Sequence, residues 1–331
     1  DRRLAAVASA NVRRNAMEGK IRVVSKHSTK AAAQRAGARA SLLVHEILDS
    51  DLLGEGVLPA VRHAASSLLE PGYRAVPARA TVYGALLEHG GLSGFDRLTP
   101  VLGDPVLDPA GPLAWFGGAA GQPAVYDVHI DDEIGSCEAR PLSEPFEALN
   151  IDFESLPPAK GQAASIRVPV TASGTVHAVV FWWKAHMGTD EAAGALSNTP
   201  KVFGGRGGGH WLQAASLLAE PVQARAGDEL VVEVAHDDDC FVFRAKPVAS
   251  NIPRCPDATG FAHVALGDAS RLRSLNCRAR NFALWRAARW VTRMVRRTST
   301  SALAPIIDIG DGPVLSQLVL RCLRARSSLA A

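Results

Sequence analysis

The sequence predicts an α/β unit that runs into an all-β domain, with the start of a further α/β unit behind it. Three observations carry this. The first 71 residues read helix, strand, strand, loop, helix, which is α/β grammar. From Tyr73 to about Ala245 the chain reads as strands and turns with little helix, the pattern of a barrel or sandwich. Beyond residue 278 a helical stripe is followed by a strand, a glycine loop and a helix.

Leu4, Val7, Ala8 and Val12 recur at helical spacing within residues 3–17, and Gly19 ends that helix. "KIRVVSKHS" reads as a strand, and "ASLLVHEI" as an apolar strand of the type buried in a parallel sheet. "VLPAVRHAASSLLEPG" predicts a helix stopped by Pro-Gly. "YRAVPARATVYGALLE", "FEALNIDFESL", "ASIRVPV", "TVHAVVFWWKAHM", "HWLQAASLLAE", "DELVVEVAHDD" and "CFVFRAK" are β-like, with Gly, Pro and Asp between them. The Pro/Gly-rich segment 99–124 is expected to be a connection or arm. Leu284, Ala288, Val291 and Val295 form the later helical stripe. One strand and two helices cannot bury a core alone, so this unit is expected to be truncated. The resulting map is 1–71, 72–250 and 278–331.

A net charge of +3 over 331 residues implies no polyanion partner by itself. The charge is uneven, however: between Asp268 and Asp308 there are nine arginines and no acid. That stretch reads either as a surface for an acidic or nucleic-acid partner or as the wet face of a helix. Five scattered cysteines without a C-x-x-C argue for a reducing compartment and against a disulfide framework. No apolar run approaches the ~20 residues of a membrane span, so no membrane partner is expected. The chain starts at Asp1 with no signal-peptide pattern, as a piece beginning inside a domain would.

The chemistry concentrates in "VHEILDSDLLGEG", residues 44–56. Glu46, Asp49, Asp51 and Glu55 share one short loop after an apolar run. Like charges repel, so the loop is either solvated or built to hold a cation. Two separated carboxylates also suit a glycosidase, but three tyrosines in all leave few aromatic platforms for a sugar.

Several segments together decide between these readings. "RVVSKHST", "LLVHEILDSDLLGEGVLPAVRHA", "PGYRAVPARATVYGALLE", "GGHWLQAASLLAEPVQARAGDELVV" and "AHDDDCFVF" resemble, in order and from about residue 10 to 246, the protein arginine methyltransferases, specifically their type III, tandem-module branch. "HEILDSDLLGEG" resembles the family's double-glutamate loop. "GHWLQ" resembles its Thr-His-Trp loop, with Gly209 in place of Thr.

The resemblance implies a partial Rossmann-like, S-adenosyl-L-methionine (AdoMet)-binding domain, then a β-barrel, then a second methyltransferase module that pairs with the first inside one chain. It implies Glu46 and Glu55 as the catalytic clamp on a substrate guanidinium. Asp49, and Asp51 less directly, would tighten the pocket toward a monomethyl product. His210 would bridge a clamp glutamate and relay the proton, and Trp211 would wall the arginine by stacking. His27, Ser28 and Thr29 would touch the adenine of AdoMet, although Lys30 stands where the branch often has Glu. The glycine loop for the rest of the cofactor is expected upstream of residue 1.

The implied partners are arginine-containing proteins such as histones and RGG proteins, in cytoplasm and nucleus, without direct nucleic-acid binding. The alternative is a non-catalytic piece that binds arginine-rich partners. "GGRGGG", 204–209, reads as a linker, and "DIGDG", 308–312, resembles a cofactor loop of the second module. Cys255 falls where the branch carries zinc, but its second cysteine is missing. His263 and Cys277 have unsuitable spacing, so no metal is expected.

Overall fold

The helix expected at the N-terminus forms as α1, Arg2–Arg14, with Leu4 and Val7 exposed. The structure, a computed structural model, describes residues 2–30, 39–92, 101–110, 124–188, 190–206, 209–248, 274–298 and 318–319. The strand expected in "KIRVVSKHS" does not form. Residues 21–25 carry no strand, and Ser28–Lys30 make a single 3-10 turn. β-branched residues favour extended backbone, but a strand also needs a ladder partner, and this segment has none among the described residues.

Strand β1, Ala40–Val44, pairs in parallel with β2, Leu69–Val76, across the helix α2, Val57–Ser67. The parallel pairing agrees with the α/β reading. The expected burial does not hold, since Leu42 and Val44 are exposed and only Leu43 packs on the core. Val57, Leu58, Val61 and Ala64 give α2 its buried face. Pro71-Gly72 is no helix stop. It lies within β2, where the register jumps from Ala40↔Leu69 to Leu42↔Arg74, and a residue without an N–H is tolerated at such a bulge.

The all-β domain appears as expected. It comprises β3, Arg79–Glu88; β4, Ala124–Val128; β5, Arg140–Pro141; β6, Phe146–Asp152; β7, Ala163–Pro169; β8, Gly174–His186; β9, Ala195–Ser197; β10, Gln213–Ala224; β11, Glu229–His236; and β12, Phe241–Pro247. A short helix α3, Ile130–Gly135, follows β4. Seven strands form one sheet in the order β4-β10-β8-β3-β5, with β6 on β3 and β9 on β8. Three more form β12-β11-β7. β8 is the spine: it pairs with β3 from His186↔Arg79 to Ala178↔Leu87 and with β10 on its other edge. Val179, Phe181 and Trp183 share one core with Phe241, Phe243 and Val232, while Val180 and Trp182, which a pleated strand points to its other face, are buried as well.

One core contains Leu48, Leu52, Leu53 and Leu58 of the first segment together with these barrel residues. Asp1–Glu88 and Tyr126–Phe261 accordingly make one compact unit, and His89–Val125 with Ala262–Ala331 a second. In the second, the helix α4, Arg278–Thr298, buries Ala288 with Leu275, Val106, Leu107, Leu318 and Val319. Most of the segment 99–124, the "DIGDG" loop, Cys255 and His263 lie outside the described residues. Among the described residues no helix is long and apolar enough to cross a membrane.

Candidate active site

The acidic loop begins where β1 ends and closes at Gly56, which caps α2 from a left-handed conformation (φ +79°). Within it the carboxylates divide into two kinds. Asp51 is fully buried and spends Oδ1 on the backbone N–H groups of Leu53 and Gly54, each at 2.9 Å. Asp49 Oδ1 accepts the Gly54 N–H at 3.1 Å. Ser50 Oγ donates to Asp127 Oδ1. Glu46 and Glu55 are exposed and make no hydrogen bond or ion pair among the described residues. The aspartates thus build the turn, and the glutamates are left for something else.

The turn is strained. Leu52 sits at φ +83°, a conformation that residues with a Cβ avoid. A Cβ on Gly54 would lie 2.1 Å from Asp49 Oδ2. Such geometry persists only where the surroundings over-determine it, and here the barrel does so. Trp211 Nε1 donates to Leu48 O at 2.8 Å, Trp183 Nε1 to Asp49 O at 2.8 Å, and Asn198 Nδ2 to Ser50 O at 3.1 Å. Three consecutive carbonyls of the loop are therefore held by donors from three separate barrel segments.

Burial pushes the Asp51 carboxyl up to about 8, the neighbouring Asp49 adds to this, and the two backbone N–H groups oppose it. Its Oδ2 has no hydrogen-bond partner. A buried acid with an empty oxygen beside a second acid keeps its proton at neutral pH. His45, at the mouth of the loop, packs edge-on against Phe153 with ring centroids 4.8 Å apart. Burial lowers it to about 4, so it is a neutral ring. On the far side the β11–β12 turn supplies Cys240, whose thiol burial drives up to about 12, with Asp237 and Asp51 adding to the effect. Burial also lowers His236.

His210 and Trp211 lie together, ring centroids 5.6 Å apart at 70°, and Trp211 meets Trp183 edge-to-face at 5.0 Å. His210 is exposed and no hydrogen bond joins it to Glu46 or Glu55. Trp211 has its indole N–H committed to the acidic loop, a link the sequence did not reveal. Its other side borders a pocket of about 300 Å³ shared with Asn198, Asp131, Asp132, Lys201 and Arg206. His27, Ser28 and Thr29 are exposed on one turn, with His27 Nδ1 and Thr29 Oγ1 2.8 Å apart. Sequence reasoning missed Trp183, Asn198 and Asp127. Only Trp183 left a trace, as the inward member of an alternating pair whose partner, Trp182, stacks on Phe203 instead.

Residues 128–246 match the family model described as the arginine methyltransferase oligomerization subdomain. Protein arginine N-methyltransferase 7 of Cricetulus longicaudatus is 30% identical over 244 residues, 69% of this chain and 34% of that protein. The Xenopus laevis protein of the same name is 28% identical over 322 residues, 93% of this chain and 45% of that one. The chain thus spans between about a third and a half of these relatives' length. Among solved structures, a chain of the Trypanosoma brucei PRMT1 enzyme–prozyme heterotetrameric complex with AdoHcy superposes with a TM-score of 0.56 at 14% identity, covering 76% of this chain and 77% of that one. The shared fold, a methyltransferase domain with its β-barrel subdomain, agrees with the order of elements found here. With a relative 30% identical over 69% of this chain and the family model matching residues 128–246, the chain belongs to the protein arginine methyltransferase family and is similar to its members named protein arginine N-methyltransferase 7.

Proposed function

We propose that the protein of which this chain is part is an AdoMet-dependent protein-arginine N-methyltransferase whose substrate guanidinium is gripped by Glu46 and Glu55. The observation behind this reading is the division of labour in the loop: the aspartates are engaged in the turn, while both glutamates stay exposed and uncommitted.

A guanidinium is a planar cation with fork-like donors, and its delocalised nitrogens are poor nucleophiles. Two carboxylates on its N–H groups draw the positive charge toward the nitrogens they hold. The remaining nitrogen then carries a usable lone pair. That pair forms the N–C bond as the S–C bond breaks, and the extra proton leaves for a clamp carboxylate or for His210. AdoMet, when bound, supplies the electrophilic methyl. His27, Ser28 and Thr29, polar and grouped on one turn, offer hydrogen-bonding groups suited to a purine edge. Asp49 narrows the pocket and favours a monomethyl product. Trp211 bounds the arginine on the barrel side while its N–H anchors the loop. Histone or RGG-type proteins in cytoplasm and nucleus are the substrates of this reading, and a second module of the same polypeptide is the barrel's partner.

The test is methylation of histone and RGG peptides by the full-length protein, with product mass read directly. Methylarginine that disappears in Glu46→Gln supports the reading. No methylarginine from the wild type, over a range of arginine peptides, refutes it.

A further inference from the structure

Asn198 is 4% exposed and every polar atom of its side chain is in use. Oδ1 accepts the Trp183 backbone N–H at 2.8 Å. Nδ2 donates to Ser50 O at 3.1 Å and to Leu212 O at 2.5 Å. Its backbone carbonyl takes Gln213 Nε2 at 2.7 Å. One carboxamide therefore touches the acidic loop on one side and the residue after Trp211 on the other. It is rooted in β8 through Trp183.

This junction has a strict chemical requirement. It needs two diverging donors and one acceptor at a single short reach. Asp offers no donor, Ser and Thr offer one, and Gln carries its amide one methylene too far for the same three partners. The loop it holds would otherwise relax, because Leu52 is left-handed and Gly54 leaves no space beside Asp49.

We propose that Asn198 is a positioning residue: its carboxamide fixes the acidic loop against the His210-Trp211 segment and so sets where Glu46 and Glu55 present their carboxylates. The functional half of this rests on the methyltransferase reading; the positional half stands on the hydrogen bonds. It also gives the barrel a part in the site, since the loop's shape is set by barrel side chains. Displacement of a reacting geometry by about 1 Å is enough to cost on the order of a hundredfold in rate.

The positional half is tested by hydrogen exchange on the 331-residue chain, comparing wild type with Asn198→Asp and Asn198→Ser. The amides of residues 50–54 should exchange about tenfold faster in both variants, while β3, β8 and β11 keep wild-type protection. Unchanged exchange in the loop overturns the proposal, and so does loss of protection throughout the barrel in both variants. If Asn198→Asp alone unfolds, the neutral Asn198→Ser decides by the same criteria. In the full-length protein the variants should raise the KM for an arginine peptide about tenfold and leave the KM for AdoMet within roughly twofold. A purely structural role would lower the active fraction and move neither KM. A looser loop with an unchanged peptide KM overturns the functional half. A wild type that methylates nothing refutes the methyltransferase reading instead and leaves the exchange result standing.

Discussion

The guanidinium of Arg62 faces the carboxylate of Asp238 in a two-pronged pair, Nη1 2.7 Å from Oδ2 and Nη2 2.9 Å from Oδ1. Arg62 is on α2, directly behind the acidic loop, and Asp238 is in the β11–β12 turn. The pair ties the helix that ends the loop to the barrel beneath it. The Asp238 hydrogen bond also raises the Arg62 pKa. Both side chains keep part of their surface in water, so solvent screens the pair. Arg62→Met should cost about 1–2 kcal/mol, more than an ordinary exposed pair because the geometry is bidentate. Asp238→Asn should cost a similar amount, and the double variant clearly less than the two together. Urea denaturation of all four proteins reads this as a cycle; strict additivity would mean the pair contributes nothing.

Asp51 and His45 give stability a characteristic pH profile. Asp51 binds its proton more tightly when folded, so its contribution is full below the ordinary carboxylate range and is lost as pH rises through about 8. His45 is depressed, so its contribution is full above about 6.5 and is lost as pH falls through about 4. The two oppose each other in acid, but between about 6.5 and 8.5 Asp51 acts alone of the pair. Stability should therefore fall across that window by about 1–2 kcal/mol. Asp51→Asn keeps the acceptor for Leu53 and Gly54 and is permanently neutral, so it should flatten this fall and be the more stable protein at pH 8.5. An Asp51→Asn profile that still declines as steeply as wild type would show that Asp51 is ionised in the fold. On the acid side, His45→Phe should soften the loss below pH 6.

How much of this was legible follows from the range of the interactions. The barrel strands could be read because each is a short run rich in β-branched and aromatic residues between Gly, Pro and Asp breaks, as β8 is with Val179, Val180, Phe181, Trp182 and Trp183. The four acids of the loop could be read because they are neighbours in sequence. Residues 21–25 misled because Val23 and Val24 carry strand propensity, whereas pairing decides the outcome. Pro71-Gly72 misled because the same dipeptide serves as a helix stop or as a bulge. β4 and α3 went unread, one bordering a Pro/Gly-rich segment and the other only six residues long. The loop's anchors were out of reach for a different reason: Trp183 meets Asp49 across 134 residues, and Asn198 meets Ser50 across 148. No local periodicity encodes a contact of that span.

Gly54 separates stability from geometry. An added Cβ would meet Asp49 Oδ2 at 2.1 Å and Asp51 Oδ1 at 3.3 Å. Both obstacles are the ends of side chains, so they can swing aside at a cost of about 1 kcal/mol. In doing so they release the Gly54 N–H that both accept. Gly54→Ala should therefore lower the melting temperature by only about 2–4 °C and lower kcat/KM for an arginine peptide about tenfold or more. Equal losses in stability and rate would place Gly54 in the general packing of the loop instead.

The glutamates themselves should behave as a unit. If Glu46 and Glu55 hold one guanidinium between them, either Gln substitution leaves a neutral amide that cannot localise the cation's charge. Each single variant should then lose on the order of a hundredfold or more in kcat in the full-length protein. The double variant should be little worse than either single one, because once the clamp is broken the second carboxylate has no cooperative role left to lose. Stability should not change measurably, since both side chains are exposed and make no hydrogen bond among the described residues. Rates for the three variants, taken beside their denaturation midpoints, settle the matter. Losses that multiply would mean two independent contacts, and a loss of only severalfold for either single variant would remove that residue from the clamp.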